Sequence, residues 1–335
     1  MSSSVPSPAS LPPAGNAPLN SVQPEIGSPP GWERRSLARL LQLDADGDGR
    51  FSSCHVDANL NGHVFGGQLI GQALVAAAND IGPGQPVHSL QINFLAPGLL
   101  DQPMRYETQP LLQGKRFQVR HVMAVQDGRN VASANVSFHI PEWGPRRQQP
   151  MPVDVPMPEG LESMSSIVTR HADRLPRQLA KRAALQRVVE IRPLAPDAML
   201  FRRSDEARMR YWIRAVEPLP EAALLHQAAL GYLSDFWFPV TAIAAHVDRK
   251  LQTGLHMASL NHTIWFHGPA RADDWLLVDA FSNFAEHGRG LSQAQVYTRD
   301  GRMVASWAQE GLMRGWQELH GEPVAPGDMP ADAAA

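Results

Sequence analysis

The chain of 335 residues carries 30 Lys and Arg against 33 Asp and Glu, a net charge of −3, and 43% of it is apolar. That length supports about two domains at ~150 residues each and a sizeable core, while the near-neutral balance gives no electrostatic case for nucleic acid as a main partner. A single cysteine, Cys54, excludes an internal disulfide framework and any multi-cysteine metal site, which fits a reducing, cytoplasmic setting.

Residues 1–30 are dominated by Pro, Ser, Ala and Gly and read as a disordered leader. They have neither the basic start nor the apolar run of a signal peptide, and no stretch of the chain reaches the ~20 apolar residues of a membrane span. The ending DMPADAAA is not a peroxisomal address.

A first domain is expected over 31–140. It opens with the amphipathic WERRSLARLLQL and FSSCHVD, then a helix GGQLIGQALVAAAND enclosed on most sides, because apolar residues cover nearly every face. Strand-like runs VHSLQINFLAP, MRYETQPLL and FQVRHVMAVQDGRNVASANVSFHI follow, the last folded at the tight-turn pair Asp127-Gly128. The breaker-rich stretch starting at PEWGPRRQQPMPVDVPMPEG makes a linker over 141–185. A second domain over 186–318 then repeats the order with RYWIRAVEPL, the helix candidate AALLHQAALGYLSDFW, MASLNHTIWFHGP, WLLVDAFSN and LSQAQVYTRDGRMVASWAQEGLMR, leaving a tail at 319–335.

The two hairpins share Asp-Gly-Arg-x-Val-Ala-Ser at an offset of about 173 residues, the mark of an internal repeat. A strand, one buried helix and three or four antiparallel strands, given twice, predicts an α+β fold: two tandem hotdog units, each an antiparallel sheet wrapped around a central helix.

The repeat also singles out site residues. Alternation places Met303, Ala305, Trp307 and Gln309 on one core-facing strand face, with Val136 as the counterpart of Gln309. Aligning Gly71 with Gly231 pairs Val75 with Asp235, so a carboxylate replaces an aliphatic side chain inside a buried helix. Unsatisfied buried amides cost roughly 1 to 3 kcal/mol each, and carboxylates more, so two such replacements in one repeat suggest a site. The structural alternatives are an amide satisfying strand backbone for Gln309 and a cap or a Trp or Arg partner for Asp235. Ser259 is weaker, since Ser89 stands at the matching place in the first repeat. Gly66 and Gly67 at the start of the first helix permit close approach of a substrate, or are tight-packing glycines against the sheet.

Other features carry less. Asp44 to Gly49 imitates a calcium loop, but His55 stands where the bidentate Glu is required, leaving a polar turn between helix and strand. His226, His246, His256, His262 and His267 lack zinc-binding spacing, and His262 and His267 fall on opposite strand faces, so no metal is expected. His262 is placed near the site as a substrate-binding candidate. Cys54 has no activating context, and no G-x-S-x-G elbow, phosphate loop or dinucleotide fingerprint is present.

In the stretches VFGGQLIGQAL, HSLQINFLAPG, YWIRA, GYLSDFWF, SLNHTIWFH and AQEGLMR the chain resembles the acyl-CoA thioesterase II family. The resemblance implies a double hotdog hydrolase that cleaves medium- or long-chain fatty acyl-CoA to free fatty acid and coenzyme A, with no metal or organic cofactor. It implies that Asp235, Ser259 and Gln309 hold the attacking water, and it finds Asn261 where many members have Asp. A homodimer or higher assembly is expected from the fold. An acyl-CoA binding protein without turnover and a hotdog hydratase or dehydratase are the alternatives.

Overall fold

The computed structural model describes residues 36–59, 61–82, 84–175, 188–201, 203–204, 206–246 and 256–314. The expected leader and tail lie outside the described residues, as does the end of the expected linker. Among the described residues thirteen strands form one antiparallel sheet. In the first half these are β1 (Leu43–Gly47), β2 (Arg50–Ser53), β3 (Val87–Phe94), β4 (Arg105–Gln113), β5 (Phe117–Gln126) and β6 (Arg129–His139). The second half contributes β7 (Val189–Pro193), β8 (Arg208–Ala215), β9 (His256–Ser259), β10 (Asn261–Phe266), β11 (Leu276–Glu286), β12 (Arg289–Thr298) and β13 (Met303–Arg314). Among the described residues five α-helices accompany them: α1 (Leu37–Leu40), α2 (Gly66–Ala77), α3 (Met164–Arg170), α4 (Pro196–Leu200) and α5 (Ala223–Leu233).

The strand order is β1-β2-β4-β5-β6-β3-β10-β13-β12-β11-β8-β7, with β9 paired to β13. The halves therefore meet edge to edge through β3 and β10, with Leu90 opposite Ile264 and Ile92 opposite His262. Period-two alternation turns Ala132, Ala134, Val136 and Phe138 of β6 inward, and Ala305, Trp307 and Gln309 of β13 likewise. An irregularity in register beside Val304 takes Met303 off this face. Instead of joining the inner row, Met303 packs on a cluster of Trp212, Trp275, Leu277 and Tyr297.

Helix α2 begins with two glycines, each costing about 1 kcal/mol against Ala in a helix interior. Burial of Leu69, Ile70 and Leu74, at about 1.5–3 kcal/mol each, offsets that. Helices α2 and α5 pack on each other through their glycines. A Cβ on Gly71 would meet the Ala228 carbonyl oxygen at 2.8 Å, and one on Gly231 would lie 3.8 Å from the Gly71 Cα. The two glycines thus face each other where the helices cross. Counting from the helix starts pairs Asp235 with Ala78, the C-cap of α2.

Two segments differ from expectation. The helix expected to run through Asp235 ends at Leu233, with Ser234 as its C-cap. The Asp44–Gly49 segment lies in the β1–β2 hairpin, turning at Gly47, Asp48 and Gly49 with positive φ, rather than between a helix and a strand. The proline-rich stretch after β6 is not a loose tether. Met151, Val155 and Leu161 cover the Trp212 cluster, and Trp212 Nε1 donates to the Pro156 carbonyl at 2.9 Å.

Candidate active site

Asp235 follows the C-cap of α5 in a turn that reaches Trp237 at a φ of 60°. The buried hydroxyl of Tyr211 pins that turn by donating to the Phe236 carbonyl at 2.9 Å. The carboxylate is thereby aimed out of its own half, at the N-terminus of α2 in the other. A Cβ on Gly66 would fall 2.6 Å from Asp235 Oδ2, and the Gly67 N–H donates to the carboxylate. Burial pushes the Asp235 pKa up to about 7, held back by hydrogen bonds from Gln309 and from Gly67.

Gln309 on β13 is 1% exposed. Its Nε2 donates to Asp235 Oδ1 at 3.1 Å and to Ser259 Oγ at 2.6 Å, so one amide joins the three residues named from the resemblance. Ser259, half-buried at the end of β9, sits opposite Gly311 of β13. Gly66 stands against the carboxylate and against Phe94 of β3, and Gly67 against the Tyr232 carbonyl and the Phe65 ring. Phe65 walls the site, its ring 4.7 Å from that of Phe236 and 5.3 Å from that of Tyr232. Tyr232 in turn donates to Asp57 Oδ2 at 2.6 Å, tying α5 to the segment before α2.

His262 is wholly buried. Its Nδ1 lies 2.9 Å from Gln309 Oε1 and its Nε2 3.0 Å from Ser234 Oγ. The ring therefore lies behind Gln309 and presents neither nitrogen to a ligand. Asn261 turns toward Glu310, accepting from its backbone N–H at 3.2 Å and donating to its Oε2 at 3.4 Å.

The first half holds none of this polarity. Sheet register makes Val136 the counterpart of Gln309, Leu90 that of His262 and Val87 that of Ser259. The pairing of Ser259 with Ser89 is thereby corrected, because Ser259 stands opposite Gly311, whose counterpart Phe138 faces Val87. Ser259 is a polar replacement too. Sequence reasoning missed Ser234, the Gly67 N–H and the Tyr232–Asp57 bond. Counting from the helix starts sets Ala77 against Ser234, a contrast that could have found it.

The decoys stay inert. Burial pushes the Cys54 thiol up to about 12, aided by a hydrogen bond to Asp44. Among the described residues no group of three or more His, Cys, Asp or Glu could hold a metal ion, and none of their helices is long and apolar enough to cross a membrane.

Residues 55–139 match the acyl-CoA thioesterase N-terminal domain family and residues 158–313 the acyl-CoA thioesterase C-terminal domain family. The chain belongs to the acyl-CoA thioesterases. It is 33% identical over 279 residues to acyl-CoA thioesterase 2 of Haemophilus influenzae, covering 83% of this chain and 97% of that one. It is 33% identical over 297 residues to human acyl-coenzyme A thioesterase 8, covering 86% and 92%. The crystal structure of an acyl-CoA thioesterase II from Mycobacterium marinum superposes with a TM-score of 0.69 at 29% identity, covering 84% and 98%. This thioesterase has the double hotdog fold, and it is an acyl-CoA thioester hydrolase.

Proposed function

We propose that this thioesterase hydrolyses medium- and long-chain fatty acyl-CoA by direct attack of water, with Asp235 as general base and Ser259 and Gln309 positioning the nucleophile. The observation that carries the reading is the buried Asp235 carboxylate, aimed at the start of α2 and bonded by Gln309 Nε2 at 3.1 Å. A carboxylate with a pKa raised to about 7 is matched to proton abstraction near neutral pH. A water between Asp235 and Ser259 gives its proton to the carboxylate as its oxygen adds to the thioester carbonyl carbon. The N-terminal N–H groups and positive dipole end of α2 favour the oxyanion, one such donor being worth roughly 3 to 4 kcal/mol. Collapse breaks the C–S bond, and the coenzyme A thiolate takes up the proton. Gly66 and Gly67 bring the substrate within reach because no side chain intervenes.

The test is free-thiol release from acyl-CoAs of graded chain length by wild type and Asp235→Asn. A fall of about 10² or more in the variant supports the base assignment; equal rates overturn it. The lone cysteine fits a cytoplasmic enzyme. A homodimer or higher assembly is proposed with it from the fold, and sedimentation of the purified chain tests that.

A further inference from the structure

His262 occupies a position where the first half of the sheet carries Leu90. An imidazole there costs burial energy that a leucine does not. Each of its nitrogens meets a different element: Ser234 at the end of α5 through Nε2, and Gln309 on β13 through Nδ1. Resting on the roles of Asp235, Ser259 and Gln309 given above, we propose that His262 is a positioning residue whose Nδ1, braced by Ser234 at Nε2, sets which face of the Gln309 amide is offered to Asp235 and Ser259.

Burial pushes the His262 pKa down to about 4, so the ring is neutral and carries one proton. Two hydrogen-bond orders then fit the same heavy-atom positions. With Asp235 ionised, Nδ1–H donates to Gln309 Oε1, and the amide N–H groups face Asp235 and Ser259. Nε2 must then accept from the Ser234 hydroxyl, which is also 2.7 Å from the Gly231 carbonyl and has one proton for two acceptors. In the alternative order, with Asp235 protonated, the amide stands the other way round and its oxygen accepts from Asp235 and Ser259. Gln309 Nε2 then donates to Nδ1, Nε2–H donates to Ser234 Oγ, and Ser234 donates to Gly231. The two orders need different His262 tautomers, so the tautomer that the ring holds fixes which face of the amide Asp235 and Ser259 meet.

The other titratable groups on the packed elements are engaged elsewhere. Glu310 of β13 faces Arg289 at 3.6 Å, and His88 of β3 meets the rings of Phe117 and His139 edge-on. The Tyr211 hydroxyl is on the Phe236 carbonyl and that of Tyr232 on Asp57. Phe238 meets the His262 ring edge-on at 5.7 Å.

Three substitutions separate the two ring contacts. In His262→Asn the amide overlies the place of Nδ1 and keeps the bond to Gln309. In His262→Gln it overlies Nε2 and keeps only Ser234, and His262→Leu, the residue the first half uses, keeps neither. Steady-state thioesterase kinetics across pH should give a kcat lower by about 10²-fold for Gln and Leu, the cost of a catalytic group displaced by ~1 Å. KM should stay within about twofold and Asn should retain most of the rate. The acidic limb of the profile should move to higher pH in Gln and Leu, since the Gln309 bond is one of those holding the Asp235 pKa down. Should Leu fail to fold by thermal melt, the Asn–Gln contrast decides alone. Equal losses in Asn and Gln, or rates within about threefold of wild type with an unmoved limb, overturn the proposal. Asp235→Asn run alongside separates the two readings, because a wild-type rate there removes the base assignment itself.

Discussion

Replacing Asp235 by asparagine should lower activity and raise stability together, with the second effect confined to higher pH. In the folded chain the carboxyl has a pKa of about 7, against roughly 3.9 in an unfolded chain. The folded state therefore holds the proton more tightly between those values, and stability from this group is present below about pH 4 and lost as pH rises through about 7. Three units at 1.36 kcal/mol each put the cost of the ionised form at about 4 kcal/mol at pH 8. Asparagine removes that cost but points an N–H2 at either Gln309 Nε2 or the Gly67 N–H, a mismatch costing about 1–3 kcal/mol. The net gain at pH 8 is about 1–3 kcal/mol, a rise in Tm of several degrees. Denaturation of both proteins at pH 5 and pH 8, with thiol release measured at pH 8, checks both signs. If the gap between variant and wild type does not widen in the variant's favour from pH 5 to pH 8, the carboxylate is a stabilised anion and the burial argument is wrong.

Wild-type kcat should fall as pH drops below about 7, following protonation of Asp235, and a rate flat down to pH 5 contradicts the base role. Gly66→Ala should cost about 10-fold or more in kcat by driving a methyl to 2.6 Å from Asp235 Oδ2; helix propensity favours Ala there, so thermal stability should hold. Gly71→Ala should instead destabilise by about 1–3 kcal/mol in denaturant melts, because its methyl meets the Ala228 carbonyl at 2.8 Å and forces α2 and α5 apart. Cys54 should react slowly with thiol reagents at pH 8, since burial pushes its thiol up to about 12, and Cys54→Ala should keep full thioesterase activity.

The double repeat was legible because hairpins impose their own spacing: Asp127-Gly128 and Asp300-Gly301 fix register on both sides, and Val136 as the counterpart of Gln309 follows from either hairpin. The helices carry no such marker. Gly71 and Gly231 oppose each other because a close helix crossing needs a small residue on each partner, and that need alone does not fix which residues of the two helices correspond. Ser89 misled for a different reason, because the shared Ser-Leu pair matches at an offset of 170 residues where strand pairing back to the hairpins sets 172. Ser234 and the Gly67 N–H stayed hidden as well. One is a C-cap whose side chain reaches another strand, and the other is backbone contributed by the opposite half of the chain.

The seam between β3 and β10 makes the two halves one sheet and one polypeptide, while Asp235 of the second half reaches the helix start of the first. In a two-fold pair of identical half-chains every buried polar residue would occur twice, in two equivalent clusters related by rotation. Covalent fusion removes that constraint. Val87, Leu90, Val136 and Ala78 are free to be hydrocarbon where Ser259, His262, Gln309 and Asp235 are not, so the desolvation penalty of the catalytic cluster is incurred only once per chain.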